Sequence, residues 1–264
     1  MERLVNLTIS GVGKSNGGKF ANVDISGIGS VTDAVEADRI SISGKGTIEG
    51  DVRAHYKLDI SGIGTIHGSI WGEILESSGS GSIKGSVEAK VIESTGILKI
   101  EGPVRIEMLT NAGHCSIGSN LAGDKIKSTG LLTVEGNVDA EEFSSYGAFT
   151  VRGRLRATRI DIEIRGFAQA LEIHGQEINV RGGNLIPLLS KLMQTFLKEG
   201  QEPNKLTANL IEGSTISVAN TMANLVRGDR VYIGPESVIQ EVQYREVLEI
   251  DPRAAVFKQT KISE

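Results

Sequence analysis

The sequence predicts an all-β fold: a parallel β-helix solenoid of about 17 residues per turn, with one short amphipathic helix inserted near residues 187–199. Three observations predict it. Gly27, Gly44, Gly62, Gly79, Gly96, Gly113, Gly130 and Gly147 recur at intervals of 17, 18, 17, 17, 17, 17 and 17 residues, the signature of one small unit stacked on itself. Within each copy, apolar and polar residues alternate, as in Ile40, Ile42 and Ile48, which is the two-residue period of a strand. Aliphatic residues also recur at constant phase. One series reads Val31, Ile48, Ile66, Ile83, Ile100, Ile117, Val134, Val151, and a second reads Val35, Val52, Ile70, Val87, Val104, Leu121, Val138, Leu155.

A turn of 17 residues cannot hold a strand, a crossover helix and a return strand, which need roughly 30. It can hold three short strand faces, so equivalent residues of successive turns should stack at about 4.8 Å. The two aliphatic series then become inward ladders. The glycine series becomes a corner where positive φ or close approach of the next turn excludes a Cβ. A second glycine series gives way to Leu98, Cys115, Leu132 and Phe149, leaving only the first corner strict.

Along the chain, repeats run from about residue 7 and fade after Ile160-Asp161-Ile162, so residues 1–183 form the predicted β-helix domain. Residues 184–205 form a helical insertion: Leu185, Leu188, Leu189, Leu192, Met193, Phe196 and Leu197 follow an amphipathic stripe, with Pro187 in the first turn and Gly200 as a stop. Alternating runs return over 206–251 and are expected to extend or cap the stack as less regular turns, with 252–264 as a tail.

Composition narrows the function. A net charge of −5 and only 4% aromatic residues give no clustered cationic footprint for nucleic acid. One cysteine, Cys115, permits no internal disulfide. No apolar run reaches signal-peptide or membrane-spanning length, so a cytoplasmic protein is expected, or one peripheral at the inner face of the cell membrane.

The motifs supply little chemistry. Gly11-Val12-Gly13-Lys14-Ser15 ends like a P-loop, but Thr8 stands where its first glycine belongs, and the stretch aligns with the repeat. Arg227-Gly228-Asp229 reads as a turn. Glu36, Arg53, Trp71, Glu88, Arg105, Ala122, Asp139 and Arg156 form an outward series best read as a solvated ladder that fixes register; Trp71 within it is a candidate contact residue. Asp59, Glu76 and Glu93 stack as carboxylates, a weak candidate cation site without other ligands. His55, His67, His114 and His174 share no metal-ligand spacing. No catalytic, cofactor or metal residues are therefore assigned, and the chain is read as non-enzymatic.

From Ile25 to Ala157, units such as Ile42-Ser43-Gly44-Lys45-Gly46-Thr47-Ile48-Glu49-Gly50-Asp51-Val52-Arg53-Ala54 resemble the bactofilin family of bacterial polymer-forming cytoskeletal proteins. The resemblance implies a right-handed triangular β-helix and nucleotide-independent filaments with roles in cell shape, envelope organisation or motility. An open β-helix end leads the same way, because its unpaired strands must be capped or must pair with another chain. Self-association is thus expected through Leu7, Ile9 and Phe20 near one terminus and Val231, Ile233, Val238 and Val247 near the other. The alternative is an adaptor recruiting a protein partner through Leu188, Leu192 and Phe196. A carbohydrate-active β-helix enzyme is less favoured, and membrane-surface binding has the weakest support, since Lys191 and Lys198 face only Glu199 on the polar side.

Overall fold

The computed structural model describes residues 4–183 and 204–262. All regular elements among them are strands, and the turns form a parallel β-solenoid, about 14 of them at about 17 residues each. They belong to two compact units, Met1–Asp124 and Lys125–Glu264. The division falls inside the repeat and not at residue 183. In a stack each layer touches only its neighbours, so a boundary between units leaves no mark in local composition.

In the first unit each turn carries a short and a long strand, exemplified by Lys45–Ile48 and Val52–Ile60. Pairing is parallel and in the expected phase: Val31↔Ile48, Ile48↔Ile66, Ile66↔Ile83, Ile83↔Ile100 and Ile100↔Ile117. The companion ladder runs Val35↔Val52↔Ile70↔Val87↔Val104. Both ladders are buried, and their β-branched side chains suit a pleated interior. The single 18-residue interval, between Gly44 and Gly62, is absorbed by a register shift between Ala54 and Lys57. There an extra residue swells the strand and turns Tyr56 outward to 55% exposure.

Close approach explains the strict glycine column. A Cβ on Gly44, Gly62, Gly79 or Gly96 would lie 2.1 Å from the carbonyl oxygen of the glycine one turn earlier. Positive φ does not account for it, since among the described residues the glycines in the left-handed region are Gly18 and Gly166.

The second glycine column answers to a different constraint. A Cβ on Gly29, Gly46 or Gly64 would meet Ile25, Ile42 or Ile60 Cγ2 at 2.7, 2.7 or 2.9 Å. The column containing those isoleucines continues in register to Ser77, Ser94 and Asn111. Gly81 still follows Ser77, with Leu98 Cδ1 of the next turn 3.1 Å from where its Cβ would be; from that next turn the glycine column grows, Leu98 following Ser94 and Cys115 following Asn111. In the second unit Leu132 follows Ser128 and Phe149 follows Ser145, with all four of these side chains buried. Isoleucine before glycine has given way to serine or asparagine before a side chain larger than glycine, which keeps the interior filled as close packing requires.

The second unit keeps the ladders as Val134↔Val151 and Val138↔Leu155. Phe143 and Phe149 pack edge to face with centroids 5.4 Å apart. Later turns become longer strands, Leu206–Val218, Thr221–Ile233 and Val238–Ile250. Their corners use left-handed Asn204, Asn220 and Glu236, with φ of 60°, 52° and 58°. The stack is uninterrupted across the insertion, because Val180 pairs with Val218 and the Ala168 amide bonds the Lys205 carbonyl. The helix expected over 187–199 lies outside the described residues.

Two local expectations are corrected. The stretch expected to be a tail, 252–264, holds a strand among its described residues: Ala255–Lys261 pairs in register with Val238–Tyr244, its backbone groups bonding the otherwise unpaired edge of that layer. Arg227-Gly228-Asp229 is not a turn but lies within the strand Thr221–Ile233, where the adjoining register shifts between Gly228 and Arg230.

Candidate functional site

The most distinctive features for interaction are the two outermost layers, one in each unit. In the first unit Leu7–Ile9 pairs with Val23–Ile25, and Val12–Ser15 pairs with Ile28–Val31, each on one side. The opposite strand edges have no described partner. Leu4, Val5 and Val12 are 49%, 66% and 86% exposed there, while Leu7 and Phe20 are half-buried and Ile9 is buried.

In the second unit the final strand Ala255–Lys261 covers Val238–Tyr244 only. Residues Val247 to Ile250 are backed by Arg230 to Ile233 on one side and have no partner strand among the described residues on the other. Val247 and Phe257 are 45% and 68% exposed. Of the residues expected near this terminus, Val231 and Ile233 are buried in the layer beneath, Val238 is half-buried, and Val247 is at the open edge. Phe257 falls within the stretch expected to be a tail, and the apolar run Ala255, Val256, Phe257 is the sequence signal that points to a strand there. Leu188, Leu192 and Phe196 lie outside the described residues.

The outward column has the expected register, Glu36↔Arg53↔Trp71↔Glu88↔Arg105 and Asp139↔Arg156. Its charges do not form the anticipated ion pairs among the described residues. Glu36 instead contacts Lys19 at 3.0 Å and His55 at 3.2 Å, and these two partners hold its carboxyl below the usual carboxylate range, Lys19 most strongly. Trp71 is half-buried between two shallow clefts, one lined by Glu36, Asp51 and Arg53, the other by Glu88, Arg105 and Glu107.

The acidic series is also in register, Asp59↔Glu76↔Glu93. Lys57 reaches across to Glu76, and that hydrogen bond is the main reason its ammonium is held above the usual lysine range. Among the described residues no grouping of three or more His, Cys, Asp or Glu could hold a metal ion. Gly11 to Ser15 continues the repeat, with Val12–Ser15 a strand and not a phosphate-cradling loop. Cys115 is buried, and desolvation of its thiolate pushes its pKa up to about 12, so it is no nucleophile in the folded chain.

A concave site that the linear pattern concealed occurs in the second unit. Arg154, Arg156, His174, Glu212, Arg227 and Arg245 border a cleft of about 390 Å³, with Gly175, Gly213 and Gly228 along its floor. The glycines stack in successive layers, and a Cβ on Gly213 would be 2.3 Å from the Gly175 carbonyl oxygen. Their shared phase with Ala157 was the available sequence signal. The fading repeat after Ile162 and the inserted segment obscured it.

No family model matches the chain, and no solved structure matches it. Two uncharacterised proteins of Bacillus subtilis (strain 168) are similar over part of it. YhbE is 38% identical over 110 residues, covering 42% of this chain and 44% of YhbE. YhbF is 36% identical over 89 residues, covering 34% of this chain and 35% of YhbF. The similarity therefore spans less than half of each relative, and neither name assigns an activity. No described helix is long and apolar enough to cross a membrane.

Proposed function

We propose that this protein is a non-enzymatic scaffold that self-associates through the outer layers of its solenoid, without nucleotide, into a polymer of the kind the bactofilin resemblance implies. The right-handed winding of that family, its cytoskeletal roles in cell shape, envelope organisation or motility, and a cytoplasmic or membrane-peripheral setting are parts of the same reading. The observation that carries it is the pair of open strand edges bearing Val12 on one layer and Phe257 on another, 86% and 68% exposed. An unpaired strand edge offers amide and carbonyl groups to a second chain, and adjacent apolar side chains add burial to that pairing.

The expected assembly is head to head, tail to tail or head to tail through these layers. Light scattering and electron microscopy of the purified protein test it, with Val12→Asp and Phe257→Asp each expected to shorten or abolish the assemblies. A wild-type protein that stays monomeric across concentration and salt would overturn the proposal. The adaptor alternative draws on the predicted helix. Because the layers on either side of the insertion pair directly, deletion of residues 184–203 should preserve the solenoid. Loss of partner capture with assembly retained would favour the adaptor.

A further inference from the structure

The glycine-floored cleft of the second unit gathers an excess of cationic side chains. Ten arginines occur in this unit, and eight of them form ion pairs: Arg152 with Glu135, Arg159 with Glu142 and Glu177, Arg165 with Glu163, Arg181 with Asp161, Arg227 with Glu212, Arg230 with Glu246, Arg245 with Asp229 and Arg253 with Asp251. The two without an acidic partner among the described residues, Arg154 and Arg156, both border this cleft. They are two residues apart on one strand, Ala148–Ile164, and so project to the same face. In a chain of net charge −5, two uncompensated guanidinium groups at one concave site are a local reversal of sign.

The acids nearby are already engaged. Glu212 accepts from Arg227 at 3.4 Å and approaches His174 at 3.5 Å, His174 also contacts Glu172 at 3.0 Å, and Asp229 pairs with Arg245 at 2.6 Å. Asp139 is the register neighbour of Arg156, but the two form no ion pair. The backbone shifts register beside the cleft on two strands, between Val151 and Arg154 and between Gly228 and Arg230. Such bulges re-aim side chains and are common beside binding sites. In the first unit Arg53 and Arg105 likewise form no ion pair among the described residues, but each is the one arginine bordering its cleft.

We propose that this cleft binds a phosphate-bearing ligand, with a dianionic phosphate held between Arg154 and Arg156. One carboxylate is satisfied by a single guanidinium fork, whereas a phosphate dianion offers oxygens and charge for two. Ser214, Glu212 and Asp229, which also border the cleft, suit hydroxyl groups of an attached polyol.

Isothermal titration of the full-length protein with inorganic phosphate, glycerol phosphate and acetate tests the assignment. Both phosphates should bind, with acetate at least about tenfold weaker. Arg154→Gln combined with Arg156→Gln should weaken phosphate binding at least about tenfold, with the far-ultraviolet circular dichroism and assembly state unchanged. Arg152→Gln, whose native guanidinium is paired with Glu135 at 2.6 Å, serves as the control and should bind as the wild type does. Tighter binding of glycerol phosphate than inorganic phosphate would identify an ester as the source, and equal affinity free phosphate; both uphold the site. Absence of phosphate binding, equal affinity for acetate, or an equal loss in Arg152→Gln would overturn it.

Discussion

Replacing Gly79 by alanine should destabilise the first unit severely, while the same change at Gly81, two residues away, should be nearly silent. At Gly79 the new methyl would lie 2.1 Å from the Gly62 carbonyl oxygen and 2.4 Å from that of Ser61. An ordinary carbon–oxygen contact needs about 3.2 Å, so the layers must separate by roughly 1 Å, and the obstacle is backbone. Two interlayer hydrogen bonds cross this point: the Gly79 amide to the Ile60 carbonyl at 3.0 Å and the Ser80 amide to the Gly62 carbonyl at 2.8 Å. Losing or stretching both costs about 2 kcal/mol, and the forced expansion adds about 1–3 kcal/mol, for a total of about 3–5 kcal/mol.

At Gly81 the nearest atoms are Leu98 Cδ1 at 3.1 Å and Ser77 Oγ at 3.2 Å, both side-chain ends. Their small adjustment is offset by the roughly 0.5–1 kcal/mol that alanine gains over glycine within a strand. Urea unfolding followed by the fluorescence of Trp71, the chain's one tryptophan and part of the same unit, gives both values. Stabilities of the two variants within about 1 kcal/mol of each other would refute close layer approach as the origin of the strict glycine column.

Two further outcomes follow from titrating groups. Cys115 should resist a thiol reagent at pH 8 in the native protein and react on unfolding, because its thiol is buried and its pKa is raised to about 12; rapid native labelling at the rate of a free thiol would contradict the packed interior. Glu36, Glu101, Glu142 and Glu241 have carboxyls held below the ordinary value of 4.5, chiefly by hydrogen bonds from Lys19, Lys84, Lys125 and Gln243 respectively, with Lys258 also bonding Glu241. Since folding depresses these values, their contribution is fully present above the unfolded carboxylate pKa and is lost as pH falls through the folded ones. The urea midpoint should therefore be flat from pH 7 to about 5 and decline below about 4, with high salt reducing the difference. A midpoint that rises on acidification would contradict these pairings.

The interior was legible because period and burial are linked. A β-branched residue every 17 positions can only be a ladder if each turn stacks on the last, and Ile48, Ile66, Ile83 and Ile100 do pair in succession. The open layers were legible in part: Val247 and Phe20 were anticipated near them, whereas Val231 and Ile233 proved to be interior. Alternation identifies two faces without saying which one a neighbouring layer covers. The Arg154–Arg156 cleft was not legible. Its members are drawn from five strands as far apart in sequence as Arg154 and Arg245, and the two register shifts beside it depend on how adjoining strands settle.

By itself, then, the sequence determined the all-β class, the parallel stacking, the phase of both ladders and the place where glycine cannot be replaced. These follow from local alternation repeated at a fixed interval, which leaves one register that buries every aliphatic residue. Only the tertiary structure decided that Ala255–Lys261 joins the stack, that isoleucine opposite glycine is exchanged for serine or asparagine opposite a larger side chain, and which charges find partners. Those outcomes depend on side-chain volumes and reach between layers, quantities that no single turn contains.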